Sequence, residues 1–156
     1  GMLYKNRFFE TAYRLPLIVR HPAMESGQVQ EEIVSMVDFM PGILGLMGID
    51  ANEDVHGQDF SVLLQGNALW RNAAHVHHAN HTGVGLFTPE YYLILHKSNE
   101  HLLFDRIRDP EELYNLYYDP EYQGVVDSLS KVIFQHHLSL ETPEKDFLQK
   151  ISRGNN

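Results

Sequence analysis

A chain of 156 residues, 43% hydrophobic and 21% charged, is long enough to bury one real core and carries none of the compositional marks of disorder. A net charge of −9 with 12 scattered Lys and Arg argues against a nucleic-acid partner, and the absence of cysteine removes disulfides, thiolate metal sites and cysteine nucleophiles. No apolar run approaches the roughly 20 residues of a membrane span and no signal-peptide pattern opens the chain, so no membrane partner is expected either.

Gly1 ahead of Met2 reads as a scar left by proteolytic cleavage before a start methionine. Residues 2–11 mix charge and aromatics without a period and read as a loop or one helical turn. Leu15-Pro16-Leu17-Ile18-Val19 follows, an apolar run bracketed by Arg14 and Arg20. It predicts a strand buried on both faces, with Pro16 at its first pairing position because proline cannot donate to a ladder. Residues 23–32 are polar with Gly27 and predict a surface loop. Asp38 is a good N-cap, Pro41 suits a first turn, and Phe39, Ile43, Leu46 and Met47 share one face of a helix over 39–47 that Gly48 stops.

Residues 50–56 read as a polar loop and 60–64 as a short helix ending near Gly66. Ala74-His75-Val76-His77-His78-Ala79-Asn80-His81 is an unusual run, punctuated by Gly83 and Gly85. Residues 91–96 and 101–107 predict an antiparallel hairpin turning at Asn99 and Glu100. Glu112-Leu113-Tyr114-Asn115-Leu116 reads as a short extended segment. Asp119-Pro120-Glu121 then opens a helix at N-cap and N1, whose apolar face is Val125, Leu129, Val132, Ile133 and His136. A last short helix is expected over 142–151 from the shifted capping box Thr142-Pro143-Glu144-Lys145.

Several of these pieces, in this order and spacing, resemble the C-terminal part of the type I sulfatases of the alkaline phosphatase superfamily. They are Lys5 with Glu10, Arg14 to Arg20, Val34-Ser35 with Asp38-Phe39-Met40-Pro41 and Gly48-Ile49, Gly57 with Phe60 and Leu63-Leu64, Tyr92-Leu93-Ile94, and Glu112 to Leu116 with Asp119-Pro120-Glu121. The resemblance covers about residues 5–138. It implies an α+β fold: one strand and helices of a parent sheet layer over 1–70, a remnant of the catalytic α/β domain, then a small antiparallel sheet packed by a long C-terminal helix over 71–156.

The resemblance also implies a chemistry that this chain carries only in small part. The family's nucleophile is a formylglycine made from Cys or Ser in Cys/Ser-x-Pro-x-Arg, and no serine here is followed by that pattern. Its divalent cation, Ca or Mg, is held by an Asp-Asp pair near the enzyme's start and an Asp-His-Gly-like pair ahead of the position of Lys5, so neither cofactor is expected in this chain. Lys5 falls on the lysine that contacts the substrate sulfate. The implied function is a C-terminal fragment of a sulfuric ester hydrolase, catalytically incomplete as an isolated chain, with a sulfate ester bound only in an intact enzyme. The alternative is a free-standing binding or structural module derived from the same fold. Relatives are often periplasmic, secreted or lysosomal.

Two further constellations stand beside the resemblance. Asp54-Val55-His56-Gly57 has the look of a metal-binding Asp-His-Gly with an insertion, but its place before Phe60 fits an ordinary loop into a short helix, and no metal site is expected there. His75 and His77 share one face if 74–79 is a strand, and with His96 across the hairpin they would present three imidazoles to a zinc-type ion. No adjacent carboxylate orients them, so the expectation is no metal and a substrate-lining role for His75, His77 and His78. The apolar run at 15–19, cut from a parent sheet, predicts a homodimer or a missing N-terminal region that covers it.

Overall fold

The computed structural model describes residues 9–22, 26–51, 55–64, 66, 70–77 and 82–141. Helix α1 (Glu10–Tyr13) is a single turn, followed by α2 (Phe39–Leu46) and α3 (Ser61–Leu64). Strands β1 (Ala74–His77), β2 (Gly83–Phe87), β3 (Tyr91–His96) and β4 (Leu102–Asp105) then form one antiparallel meander in the order β1-β2-β3-β4, and α4 (Gln123–Glu141) closes the described chain. The fold is α+β. Lys5, Asp54, His78, His81 and the helix expected over 142–151 lie outside the described residues.

Strand alternation divides the core in two. Ala74, Phe87, Tyr92, Ile94 and Phe104 fill one face of the sheet, where Phe9, Tyr13 and Ile33 pack on them. Leu86, Leu93 and Leu103 fill the other, under Val126 and Ile133 of α4. The strand buried on both faces is therefore β3, whose Tyr92, Leu93 and Ile94 are wholly buried. The segment expected to play that part, residues 15–19, forms no strand among the described residues, and Ile18 is 92% exposed. The composition suited a buried strand, but no neighbouring strand in the described chain offers it a ladder.

Strand β2 escaped the reading of the sequence because Gly83 and Gly85 look like punctuation. Gly85 is needed inside the sheet: a Cβ there would meet Val76 Cγ2 at 2.8 Å and the Leu93 carbonyl at 3.1 Å. The β3–β4 hairpin formed as expected, with Asn99 at φ +61° in its turn, a conformation asparagine tolerates. The outer edge of β4 is covered by the segment after it, where Asn115 Oδ1 accepts from Leu103 N at 3.0 Å and Leu116 N donates to Leu103 O at 2.9 Å. Those bonds satisfy edge groups that would otherwise face water.

The helices correct three details. Asp38 does not cap α2; Ser35 caps a 3₁₀ turn over Met36–Asp38, and the two side chains bond each other's backbone N–H in a capping box. The buried face of α2 is Pro41 and Gly42 rather than Phe39, Ile43, Leu46 and Met47, because Gly42 admits the Phe60 ring and Gly45 admits the Asp59 carboxylate. Phe39 and Met47 are left exposed. On α4 the expected Val125, Leu129 and Ile133 do pack on the sheet, joined by the buried Val126, while Val132 is exposed. The start of that last helix is as expected: Asp119 Oδ1 accepts from Glu121 N at 3.0 Å, with Pro120 at N1.

Candidate functional site

Three polar clusters in the described chain hold chemistry-bearing side chains. The first is built on Asp38, fully buried, whose carboxylate accepts from Ser35 N at 2.7 Å, Gln58 N at 2.7 Å and Arg71 Nη2 at 3.1 Å. Gly57 lies beside it because a Cβ would strike the Val37 carbonyl. Gly57, the last residue of the stretch that looks like Asp-His-Gly, therefore serves a close backbone approach. Three hydrogen bonds, one of them from a guanidinium, commit most of the Asp38 carboxylate to the fold.

The second cluster holds the histidines. His75 and His77 do share one face of β1, the face covered by α4, and there they meet partners that sequence reading did not name as a pair. The His75 ring stacks on His136 with centroids 3.7 Å apart, and His77 lies 6.3 Å from His137. Burial first, then the nearby His136, Arg71 and His77, lowers the His75 pKa to about 4. Burial likewise lowers that of His136, followed by the influence of His77, Arg71, His56 and His137. Two stacked imidazoles in this setting are neutral at pH 7.

His96 does not join them. It sits opposite Gly83, whereas His77 sits opposite Val84, and Val84 faces Leu95; alternation thus puts His96 on the other face of the sheet. Its Nδ1 is 2.6 Å from Ser98 Oγ, which in turn donates to Glu100 Oε2 at 3.0 Å. His75, His77 and His96 thus do not converge, and among the described residues no group of three or more His, Asp or Glu is placed to hold a metal ion. A cavity of about 420 Å³ at this end of the sheet is lined by residues of both faces, His77, His96, Lys97 and His137 among them.

The third cluster ties α1 to the sheet. Arg106, at the end of β4, grips Glu10 with a two-point fork, Nε to Oε2 at 3.1 Å and Nη2 to Oε1 at 2.9 Å. Glu10 N donates to Glu112 Oε2 at 2.9 Å. Glu112 is buried and has φ +54°, and among the described residues neither its Oε1 nor the buried hydroxyl of Tyr92 has a hydrogen-bond partner. Burial is the main cause raising the Glu112 pKa; the Glu10 N–H opposes it. The sequence signal for this cluster was Glu112 itself, a carboxylate inside Glu-Leu-Tyr-Asn-Leu. There the polar Glu112 and Asn115 do the binding while Leu113 and Tyr114 are exposed.

The four-stranded antiparallel meander with one long helix on one face is an α+β arrangement shared with solved sulfatase-type hydrolases. The chain belongs to that family: residues 1–138 match the family described as N-sulphoglucosamine sulphohydrolase, C-terminal. An arylsulfatase of Clostridium perfringens is 28% identical over 137 residues, which cover 81% of this chain and 28% of that protein. An endo-4-O-sulfatase of Bacteroides thetaiotaomicron is 28% identical over 150 residues, 80% of this chain and 29% of that one. The solved structure of a phosphonate monoester hydrolase from Silicibacter pomeroyi shares the fold, with a TM-score of 0.70 over 86% of this chain and 31% of that chain at 23% identity. The chain thus spans less than a third of the length of these relatives.

The divalent cation of the family finds no suitable donor set among the described residues. Asp38 and Asp105 are engaged by backbone N–H groups and Arg71, and Glu112 binds the Glu10 N–H through one oxygen; the described carboxylates are not gathered into an oxygen cage.

Proposed function

We propose that this chain is the C-terminal portion of a sulfuric ester hydrolase and is catalytically incomplete by itself. The family match over residues 1–138 carries the reading. Its support from the sequence is that no cysteine is present and no serine opens Ser-x-Pro-x-Arg, so the chain has no candidate for the formylglycine nucleophile. In the intact enzyme the nucleophile and the Ca or Mg site would come from the region preceding this one. Residues 1–70 would complete that catalytic α/β domain, and 71–156 would form the appended sheet and helix.

Lys5 is the residue through which this portion would touch the substrate. Its ammonium would neutralise charge developing on the sulfate oxygens, an electrostatic role that needs a fixed position rather than a proton transfer. His75, His77 and His78 would border the substrate; for His77 the cavity it lines supports this. The test is the reading frame immediately upstream of the Met2 codon at the native locus. An uninterrupted frame encoding Cys/Ser-x-Pro-x-Arg is expected. A frame that lacks the motif would overturn the reading in favour of a free-standing binding or structural module.

A further inference from the structure

We propose that the seam between β1 and the end of α4 is an acid-released latch, closed while the stacked rings of His75 and His136 are neutral and opened when they take up protons. The rings lie face to face, with centroids 3.7 Å apart and planes 15° from parallel, and His77 lies 6.3 Å from His137 beside them. Two neutral imidazoles gain from such a contact, whereas two imidazolium rings at that separation repel. The groups acting on the two rings besides each other are His77 of β1, His137 of α4, Arg71 ahead of β1 and His56 ahead of α3, all cationic or able to become so. His96 of β3 and Lys97 after it line the same cavity as His77 and His137. Among the described residues no carboxylate acts on either ring, and Asp38 is bound by Arg71. The strand partners of His75 and His77 on β2 are the apolar Leu86 and Val84.

The latch sits where the cover of the sheet is thinnest. Strand β1 is at the edge of the sheet and buries only Ala74, and Ile133 is the last buried residue described on α4. Val126 and Ile133 hold the earlier turns of α4 on Leu86, Leu93 and Leu103 through apolar contacts that do not titrate. Opening is therefore local: residues 134–141 leave β1 while the sheet and the front of α4 stay packed. Release separates His77 from His137 and removes one wall of the cavity they share. Its direction follows from burial, the first cause holding the closed His75 ring at about 4 and lowering His136 as well, against about 6.5 for rings opened to water. Above pH 6.5 the rings are neutral in both states and the latch stays closed. As pH falls from 6.5 toward 4, protons bind the opened state first and draw the equilibrium toward it.

Residue-resolved amide hydrogen exchange, followed by nuclear magnetic resonance on the full 156-residue chain, tests this. Between pH 7 and pH 4.5 the protection factors of residues 138–141 should fall at least about tenfold, a figure discounted for the partial exposure of the rings. Those of Leu93 and Leu103 should stay within about twofold, since the core does not open with the latch. The double variant His75→Phe/His136→Phe keeps an aromatic stack that cannot take up a proton, and there the fall at 138–141 should shrink to less than about threefold. Should that variant fail to fold, ring titration in the unaltered chain decides: the His75 and His136 ring protons should both titrate below pH 6, together with the loss of protection at 138–141. Protection at 138–141 that does not change with pH, that falls equally at Leu93 and Leu103, or that falls as steeply in the double variant would overturn the inference. So would a His75 or His136 ring that titrates near the ordinary value of about 6.5.

Discussion

Among the described residues Tyr92 is the largest fully buried side chain, stacked on Phe87 at 3.6 Å, and its hydroxyl finds no hydrogen-bond partner there. Burial, then Tyr13, Glu112 and Glu10, pushes its pKa upward, so it stays a neutral phenol. Tyr92→Phe keeps the stack and removes an unpaired polar atom. It should stabilise the chain by about 1–3 kcal/mol, read as a rise in the midpoint of urea unfolding; a fall would mean that the hydroxyl has a partner. Asp38→Ala should do the opposite, costing about 3–5 kcal/mol, because it leaves two backbone N–H groups and Arg71 without their acceptor. His75 links stability to pH. Its folded pKa of about 4 lies below the unfolded value of about 6.5, so above pH 6.5 the ring is neutral in both states and the stability is complete. As pH falls from 6.5 toward 4 the unfolded chain takes up a proton that the folded ring refuses, and stability is lost. After discounting for the ring's partial exposure this is about 1 kcal/mol, or ~2–4 °C in Tm for a chain of this length. His75→Gln should flatten the Tm profile between pH 7 and pH 4.5 by that amount, and an unchanged profile would assign the sensitivity to other groups.

Elements were legible where local pattern and the partners inside the chain agree. The β3–β4 hairpin has alternating apolar positions, a turn asparagine and a neighbour ten residues away, and α4 announces itself with Asp119-Pro120. Misreadings occurred where packing works through what is missing. Gly83 and Gly85 looked like breaks but belong to a strand, which a Cβ at Gly85 would jam, and the face of α2 that packs is its glycine face. Helical periodicity counts large apolar residues and is blind to a contact made by their absence. The place of His96 was misjudged for a comparable reason: β2 was not recognised, so His96 was set one strand too near β1 and on the face of His75 and His77. The stack of His75 on His136 needed both the strand register and the helix phase, which no local signal supplies. The α4 phase can be checked directly. Val126→Ala should cost about 1–2 kcal/mol, in line with deletion of buried methyl groups, and Val132→Ala less than about 0.5 kcal/mol; equal costs would contradict the observed face.

At the scale of the molecule the sheet half is covered on both faces while the entrance half is not. Ile18 is 92% exposed, and Leu15, Met36, Phe39, Met40 and Met47 are exposed with it. Covering such side chains is worth roughly 1.5–3 kcal/mol each, a strong incentive for association. In the relatives most of the length lies outside the matched region. For the isolated chain we expect a two-fold homodimer, or exchange of N-terminal segments, built around residues 13–20. Light scattering should give twice the 18.0 kDa chain mass, and Ile18→Lys should yield monomer or precipitate; a well-behaved monomer unchanged by that substitution would contradict it. The central claim is that a sulfatase-family chain of this extent holds the support for the chemistry and not its reactive centre. The most direct measurement is hydrolysis of an aryl sulfate by the purified chain supplied with Ca²⁺ or Mg²⁺. The rate should not exceed a buffer blank, and turnover above the blank that disappears in Lys5→Ala would contradict the account.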